Sequence, residues 1–137
     1  MPNLNTACFL GLVVSLASVP AGASAEVIGV GYKVVRSGDV APMGFHYQVS
    51  HECRSLGPIA INLAVAPLHG KVVIKEKVGE MTFGGQSAYS ACNARKISGV
   101  QVYCRSAAGY VGFDRYVVER VLSTGNAELI KVNLSVR

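Results

Sequence analysis

The chain lacks charge in its first 25 residues, and its longest apolar run there is too short to cross a membrane. No Lys, Arg, Asp or Glu occurs before Glu26. The apolar run covers residues 8–19, roughly 12 residues where a membrane-spanning helix needs about 20. Residues 20–22 break the run, and Ala23-Ser24-Ala25 supplies the small residues of a signal-peptidase site. The sequence therefore predicts a signal peptide at residues 1–25, cleaved after Ala25, and no membrane span in the mature chain.

Motifs for catalysis and for nucleotide binding are also missing. Gly84-Gly85 is not followed by the Lys-Ser/Thr of a phosphate-binding loop, and no Gly-x-Ser-x-Gly motif for a nucleophilic serine occurs. The acidic residues form no recognisable acid–base pair. The aromatic and basic residues do not form an RNA-binding motif. We therefore expect a protein that is not an enzyme, has no cofactor and does not bind nucleic acid.

Charge of one sign is nowhere concentrated. All 13 Lys and Arg and all 8 Asp and Glu lie after residue 25, so the mature part keeps the net charge of +5. No run contains more than two like charges. This scattered basic balance is compatible with an anionic polymer of the cell envelope as a partner, and equally with simple solubility.

The pattern that is present is that of β-strands separated by turns. Polar and apolar residues alternate in several segments, and turn signals recur about every 8–12 residues, which is typical of a β-sandwich. Residues 59–66 are almost wholly apolar and predict a central strand. The predicted strands are 26–36, 45–50, 59–66, 71–77, the two strands within 100–119, and 128–137. We expect one antiparallel β-sandwich domain of about seven strands at residues 26–137.

The loop at residues 107–114 joins the two strands of the 100–119 segment. Small residues there are set against the rings of Tyr110 and Phe113, and Gly112 separates the two rings. Gly112 is expected to adopt a positive φ that a side chain would strain. Asp114 is expected to accept hydrogen bonds from backbone amides of a turn. We expect this loop to be a corner of the sandwich with the Tyr110 ring buried in the core.

The same loop resembles the signature of bacterial cadherin-like and immunoglobulin-like β-sandwich repeats. Ala108-Gly109-Tyr110, Gly112 and Asp114 match that signature, and Tyr116 lies where the family has an inward aromatic residue. Upstream, Pro67, His69, Gly70 and Val72 resemble the family's proline-x-histidine-glycine-x-valine turn. Three residues depart from the pattern, namely Cys104, Ser106 and Arg120. The resemblance implies an immunoglobulin-like sandwich and, more closely, a small single-domain secreted protein.

Three cysteines remain after cleavage, and they permit one disulfide and one free thiol. By loop entropy alone, a Cys53–Cys92 bond would stabilise the fold by about 4 kcal/mol and a Cys92–Cys104 bond by about 3 kcal/mol, which does not decide between them. The resemblance implies the Cys53–Cys92 pair. It also places Cys104 at an inward position that usually holds tyrosine, so Cys104 is expected to be a buried free thiol.

Histidine and methionine offer an alternative function from a different class. His46, His51 and Met43 could bind copper or zinc in a periplasmic metal carrier. On one regular strand, however, His46 and His51 would point to opposite faces. We interpret His46 as an outward strand residue and His69 as a turn residue that bonds to backbone.

The preferred interpretation is an exported, non-enzymatic immunoglobulin-like domain, periplasmic or secreted, that serves binding or envelope structure. Loops at the ends of a rigid sandwich are suited to recognition. The candidate contact residues are Gln86, Tyr89, Arg95 and Lys96, and the partner would be an unknown protein or an anionic envelope polymer. A small inhibitor of a secreted hydrolase is a further alternative.

Overall fold

The computed structural model describes residues 26–137, and within them the chain forms seven β-strands in two sheets. The signal peptide predicted at residues 1–25 lies outside these described residues. The strands are β1 (Glu26–Val35), β2 (Val40–His46), β3 (Ala60–Val65), β4 (Gly70–Glu80), β5 (Lys96–Ser106), β6 (Gly112–Val121) and β7 (Ala127–Val136). A short 3-10 turn, Ser90–Cys92, precedes β5. The predicted all-β sandwich of about seven strands is confirmed.

The strands are shared between a four-stranded and a three-stranded sheet. The four-stranded sheet has the order β1-β7-β6-β3, and the three-stranded sheet has the order β2-β5-β4. β1 runs parallel to β7, whereas every other neighbouring pair is antiparallel. Because β5 and β6 belong to different sheets, the loop that joins them crosses from one sheet to the other. The corner predicted at residues 107–114 is therefore confirmed.

The main core lies between the two sheets. In β5, β6 and β7, alternate residues point into this space, as the period of two in the sequence predicts. The ring of Tyr116 is only 1% exposed, which confirms its inward position. The buried core residues are Val35, Met43, Ile61, Val100, Val102, Cys104, Tyr116, Val118, Val132, Leu134 and Val136.

The bounds and surroundings of two strands differ from the prediction. The second strand covers Val40–His46 instead of residues 45–50, because β2 lies at a sheet edge and therefore tolerates Pro42. The third strand is an edge strand of the four-stranded sheet, and Ile61 is its one buried residue. The apolar run at 59–66 was thus wrongly interpreted as central. Its alanine and valine side chains lie exposed along that edge instead.

A second, smaller apolar cluster lies on the outer face of the three-stranded sheet, and we call it the satellite cluster. Its buried members are Met81, Cys92 and Ile97. The Phe45 ring lies over Gly99, where an added Cβ would come within 2.8 Å of the ring, so only glycine permits this contact. Around these residues pack Phe45, Tyr47, Val49, Cys53, Phe83 and Tyr89.

The disulfide within this cluster is Cys53–Cys92, as the resemblance implies. Cys104, the free cysteine of the described residues, is buried in the main core. Burial raises the pKa of its thiol, and the nearby Asp114 carboxylate acts in the same direction. The thiolate needed for a nucleophile is therefore disfavoured, and Cys104 behaves as a small apolar core residue.

Candidate functional site

The two sequence elements that carry the family resemblance meet at one end of the sandwich. The Asp114 carboxylate accepts hydrogen bonds from the backbone amides of Leu68, at 3.0 Å, and His69, at 2.7 Å. Asp114 therefore caps a turn, as predicted, but the turn lies 45 residues away in the β3–β4 connection. These charge-assisted bonds fix the position of Leu68 relative to β6.

Tyr110 joins the same two elements from the β5–β6 loop. Its ring stacks on His69 with the centroids 3.8 Å apart, and its hydroxyl donates a 2.6 Å hydrogen bond to the Phe113 carbonyl. Gly112 has a φ of +146°, and an added Cβ would lie 2.8 Å from the Tyr110 hydroxyl, which confirms the expected positive φ.

Three expectations for this corner are wrong in detail. Tyr110 is half-buried against the edge of the core because its ring is occupied by the contact with His69. The His69 side chain stacks on the Tyr110 ring. The hydrogen bonds that His69 makes in the turn come from its backbone N–H and C=O groups. The Phe113 ring was expected to pack within the loop, but it is 85% exposed.

Phe113 forms part of an open groove on the outer face of the four-stranded sheet, which we call the β7 groove. Tyr32, Leu68 and Phe113 surround it and are 79%, 87% and 85% exposed. The groove has a volume of about 630 Å³. Soluble proteins rarely expose contiguous apolar surface of this kind unless it takes part in binding.

The register of the strands explains the shape of the groove. In one row across the sheet, Ser135 of β7 lies between Val34 of β1 and Phe113 of β6. In the next row, Asn133 lies between Tyr32 and Arg115. Short polar side chains on β7 therefore form a low floor, and taller side chains on both neighbouring strands form its walls.

The predicted contact residues are divided between the satellite cluster and the surface near it. Tyr89 is half-buried, and its ring lies 5.3 Å from that of Phe83 and 4.5 Å from that of His51. Gln86 and Arg95 are exposed. Lys96 forms an exposed ion pair of 3.4 Å with Glu80. The structure therefore gives Tyr89 a packing role, and none of these four residues lines the β7 groove.

The three residues of the metal alternative have separate surroundings. Met43 is buried in the main core, His51 stacks on Tyr89 at the satellite cluster, and His46 is half-buried at the end of β2. Within residues 26–137, no group of three or more His, Cys, Asp or Glu side chains is placed to hold a metal ion.

His46 does not point outward as predicted. A bulge between Pro42 and Gly44 shifts the register of β2, so that His46 pairs with the inward-facing Val100. Its imidazole thereby faces the other sheet, where Arg120 donates to Glu128 from Nε at 2.8 Å and from Nη2 at 2.6 Å. This ion pair satisfies the charge of Arg120 at a strand position where the cadherin-like signature has an apolar residue.

His46 is expected to make the stability of the fold depend on pH. Burial lowers the pKa of His46, and the positive charge of Arg120 lowers it further. The unfolded chain therefore binds a proton more readily than the folded chain, so stability is lost as the pH falls through the ordinary histidine pKa of about 6.5. Urea unfolding at pH 7.5 and pH 5.5 should show a loss at the lower pH that is smaller in His46→Gln. An equal loss in that variant would contradict this role of His46.

Comparison with known proteins adds no family to this geometry: no family model, no curated protein and no solved structure matches the chain. In residues 26–137 no helix is long and apolar enough to cross a membrane. The β7 groove was missed at the sequence level. Its signal lay in two places, the outward Asn133 and Ser135 of β7 and the alternating Val30, Tyr32 and Val34 of β1.

Proposed function

We propose that this chain is an exported, non-catalytic binding domain that recognises an apolar segment of a partner protein in the β7 groove. The observation that carries the proposal is the exposure of Tyr32, Leu68 and Phe113 around one groove. Each of these side chains would bury a large apolar area on binding, and such protruding anchors dominate the energy of protein interfaces.

The class of the domain is supported by strand order and by disulfide chemistry. If the strands are lettered A to G, the sheets read A-G-F-C and B-E-D. The constant-type immunoglobulin sandwich has A-B-E-D and C-F-G, so the first strand alone changes sheets. A disulfide favours an oxidising compartment, which supports export to the periplasm or the exterior. These features and the motif resemblance support an immunoglobulin-like, exported domain.

A protein partner fits the groove better than an anionic envelope polymer does. Leu68 and Val34 are aliphatic walls that gain energy from burial against other apolar side chains. Arg115, which is aligned with the outward Asn133, lines the same groove and suits the polar rim of a protein interface. A polyanion would need a dense basic surface, whereas the residues that line this groove are mostly apolar or uncharged.

The test is selection of binding peptides from a random peptide library on the immobilised protein. We expect enriched peptides to be rich in apolar residues, and we expect Phe113→Ser and Leu68→Ser to weaken their binding about tenfold or more, the loss of one buried apolar anchor. Val73→Ser is the matched control, since Val73 is an exposed valine on the other sheet.

Several outcomes would redirect the proposal. Peptides that bind Phe113→Ser as tightly as the wild type would contradict the groove as the binding site. Binding of a purified anionic polysaccharide that Arg115→Ala abolishes would favour the envelope polymer. Micromolar copper or zinc binding that His46→Ala abolishes would favour the metal carrier.

A further inference from the structure

The free edge of β1 is unusually open to pairing with another strand. Within the described residues β1 pairs with β7 alone, so one row of its backbone amides and carbonyls has no strand partner. The strand is ten residues long and contains no proline. Apart from Val35, which is buried in the main core, its large apolar side chains are between 47% and 79% exposed: Val27, Ile28, Val30, Tyr32 and Val34.

The other edge strands carry the features by which natural proteins discourage such pairing. β2 contains Pro42 and a bulge beside it. β3 is only six residues long and is interrupted by a bulge between Leu63 and Val65. β4 is rich in charge, with lysines and glutamates along its length. The bulge in β1 lies near its start, between Val27 and Gly29, and leaves residues 29–35 in regular register.

From this edge we propose that two copies of the chain associate through their β1 strands, which pair antiparallel and join the two four-stranded sheets into one sheet of eight strands. The partner that pairs with the free edge of β1 is thus a second copy of the chain. Two copies of β1 are complementary in charge, and their side chains project to matching sides of the sheet. This association does not depend on the partner proposed for the β7 groove.

Charge complementarity selects the antiparallel direction. The charged residues of β1 are Glu26 at its start and Lys33 near its end. Because the bulge between Val27 and Gly29 takes up one residue, Glu26 and Lys33 are each three register positions from Val30 when β1 is aligned with β7. A two-fold axis through Val30 therefore sets Glu26 of each copy opposite Lys33 of the other. Parallel pairing in register would instead set each charge beside its like. Opposite charges on directly opposed residues stabilise a strand pair, and like charges destabilise it.

The facing of the side chains agrees with this register. On β7, Glu26 is aligned with Glu128 and Lys33 with Leu134, which lie on the same side of that strand, so Glu26 and Lys33 also share one side. By the same reasoning Val27 and Tyr32 share the outer side, where each would meet the other across the axis. The bulge near Val27 is what brings residues 26 and 33 to the same side, since their numbers differ by an odd count.

The test is sedimentation velocity of the protein recovered from expression of the full chain, over concentrations from micromolar to near millimolar. We expect a concentration-dependent dimer, because two ten-residue strands bury less than a standard stable interface. Val30→Lys should give a monomer at every concentration, since it places two ammonium groups together at the two-fold axis. Val73→Lys on the other sheet is the matched control and should dimerise as the wild type does.

A charge exchange tests the register itself. Lys33→Glu sets two carboxylates opposite each other twice, and we expect it to weaken the dimer about tenfold. The double variant Glu26→Lys/Lys33→Glu should restore wild-type affinity. Unfolding curves of all variants check that they fold. Phe113→Ser should leave the dimer intact, which separates a failure of the groove proposal from a failure of the dimer proposal. A wild type that stays monomeric, a dimer that survives Val30→Lys, or a charge exchange without rescue would overturn the proposal.

Discussion

Replacing Tyr116 with alanine is expected to lower the free energy of unfolding by about 3–5 kcal/mol, the range for truncating a buried aromatic side chain. The Tyr116 ring is 1% exposed and lies in the core between the two sheets. Burial also raises the pKa of its phenol, and the nearby Cys104 thiol contributes to this shift. Removing the ring loses its transfer energy and leaves a cavity that β6 cannot close, since β6 is held by strands on both sides. Urea unfolding followed by circular dichroism measures the loss.

Phe113→Ala is the control for this measurement. Phe113 is three residues away on the same strand, and its ring is 85% exposed. A surface substitution of this kind is expected to change stability by less than about 0.5 kcal/mol. If the two variants lost equal stability, the assignment of Tyr116 to the core and of Phe113 to the groove would be wrong.

Local sequence patterns predicted the parts of the fold that depend on local chemistry. The alternation of Val100, Val102 and Cys104 placed one face of β5 in the core, where all three are buried. The corner was predictable from the glycine at position 112, because glycine readily adopts the positive φ that is found there. Asp114 could be identified as a cap from its type and position, although its distant partner turn could not.

Features that depend on register between distant strands were not predictable. His46 was expected on the outer face because it alternates with the apolar Phe45 and Tyr47. Those two rings instead pack in the satellite cluster on the outer face, which leaves His46 facing inward beside Val100. The alternation does not specify which of two apolar clusters its apolar side joins. The interpretation of 59–66 as a central strand failed for a related reason, because an apolar run does not specify whether neighbours cover both sides of the strand.

The β7 groove illustrates the same limit at the level of function. Its walls come from β1, β6 and the β3–β4 turn, and its floor comes from β7. Val34 and Phe113 are far apart in sequence and come to lie on either side of Ser135 only because β1 pairs with β7 rather than with β2. The predicted contact residues were chosen from one loop, where Tyr89 is instead needed for packing against Phe83 and His51.

Replacing Cys53 with serine is expected to lower the free energy of unfolding by about 2–5 kcal/mol, the usual loss when a native disulfide is removed from a small secreted domain. The bond closes a loop with a sequence separation of 39 residues, for which chain entropy alone gives about 4 kcal/mol. That loop contains β3, from the four-stranded sheet, and β4, from the three-stranded sheet. The crosslink therefore restricts the unfolded chain across both layers, and the loss should appear as one cooperative shift of the whole unfolding curve.

The double variant Cys53→Ser/Cys92→Ser separates the disulfide from the packing of its sulfur atoms. Residues that act as one unit are not additive, so the double variant should lose little more stability than Cys53→Ser does alone. Cys92 is fully buried in the satellite cluster, so any additional loss reports the burial of a hydroxyl there. A reductant should lower the melting temperature of the wild type and leave both variants unchanged. Equal sensitivity of all three proteins to reductant would show that the crosslink does not support the fold.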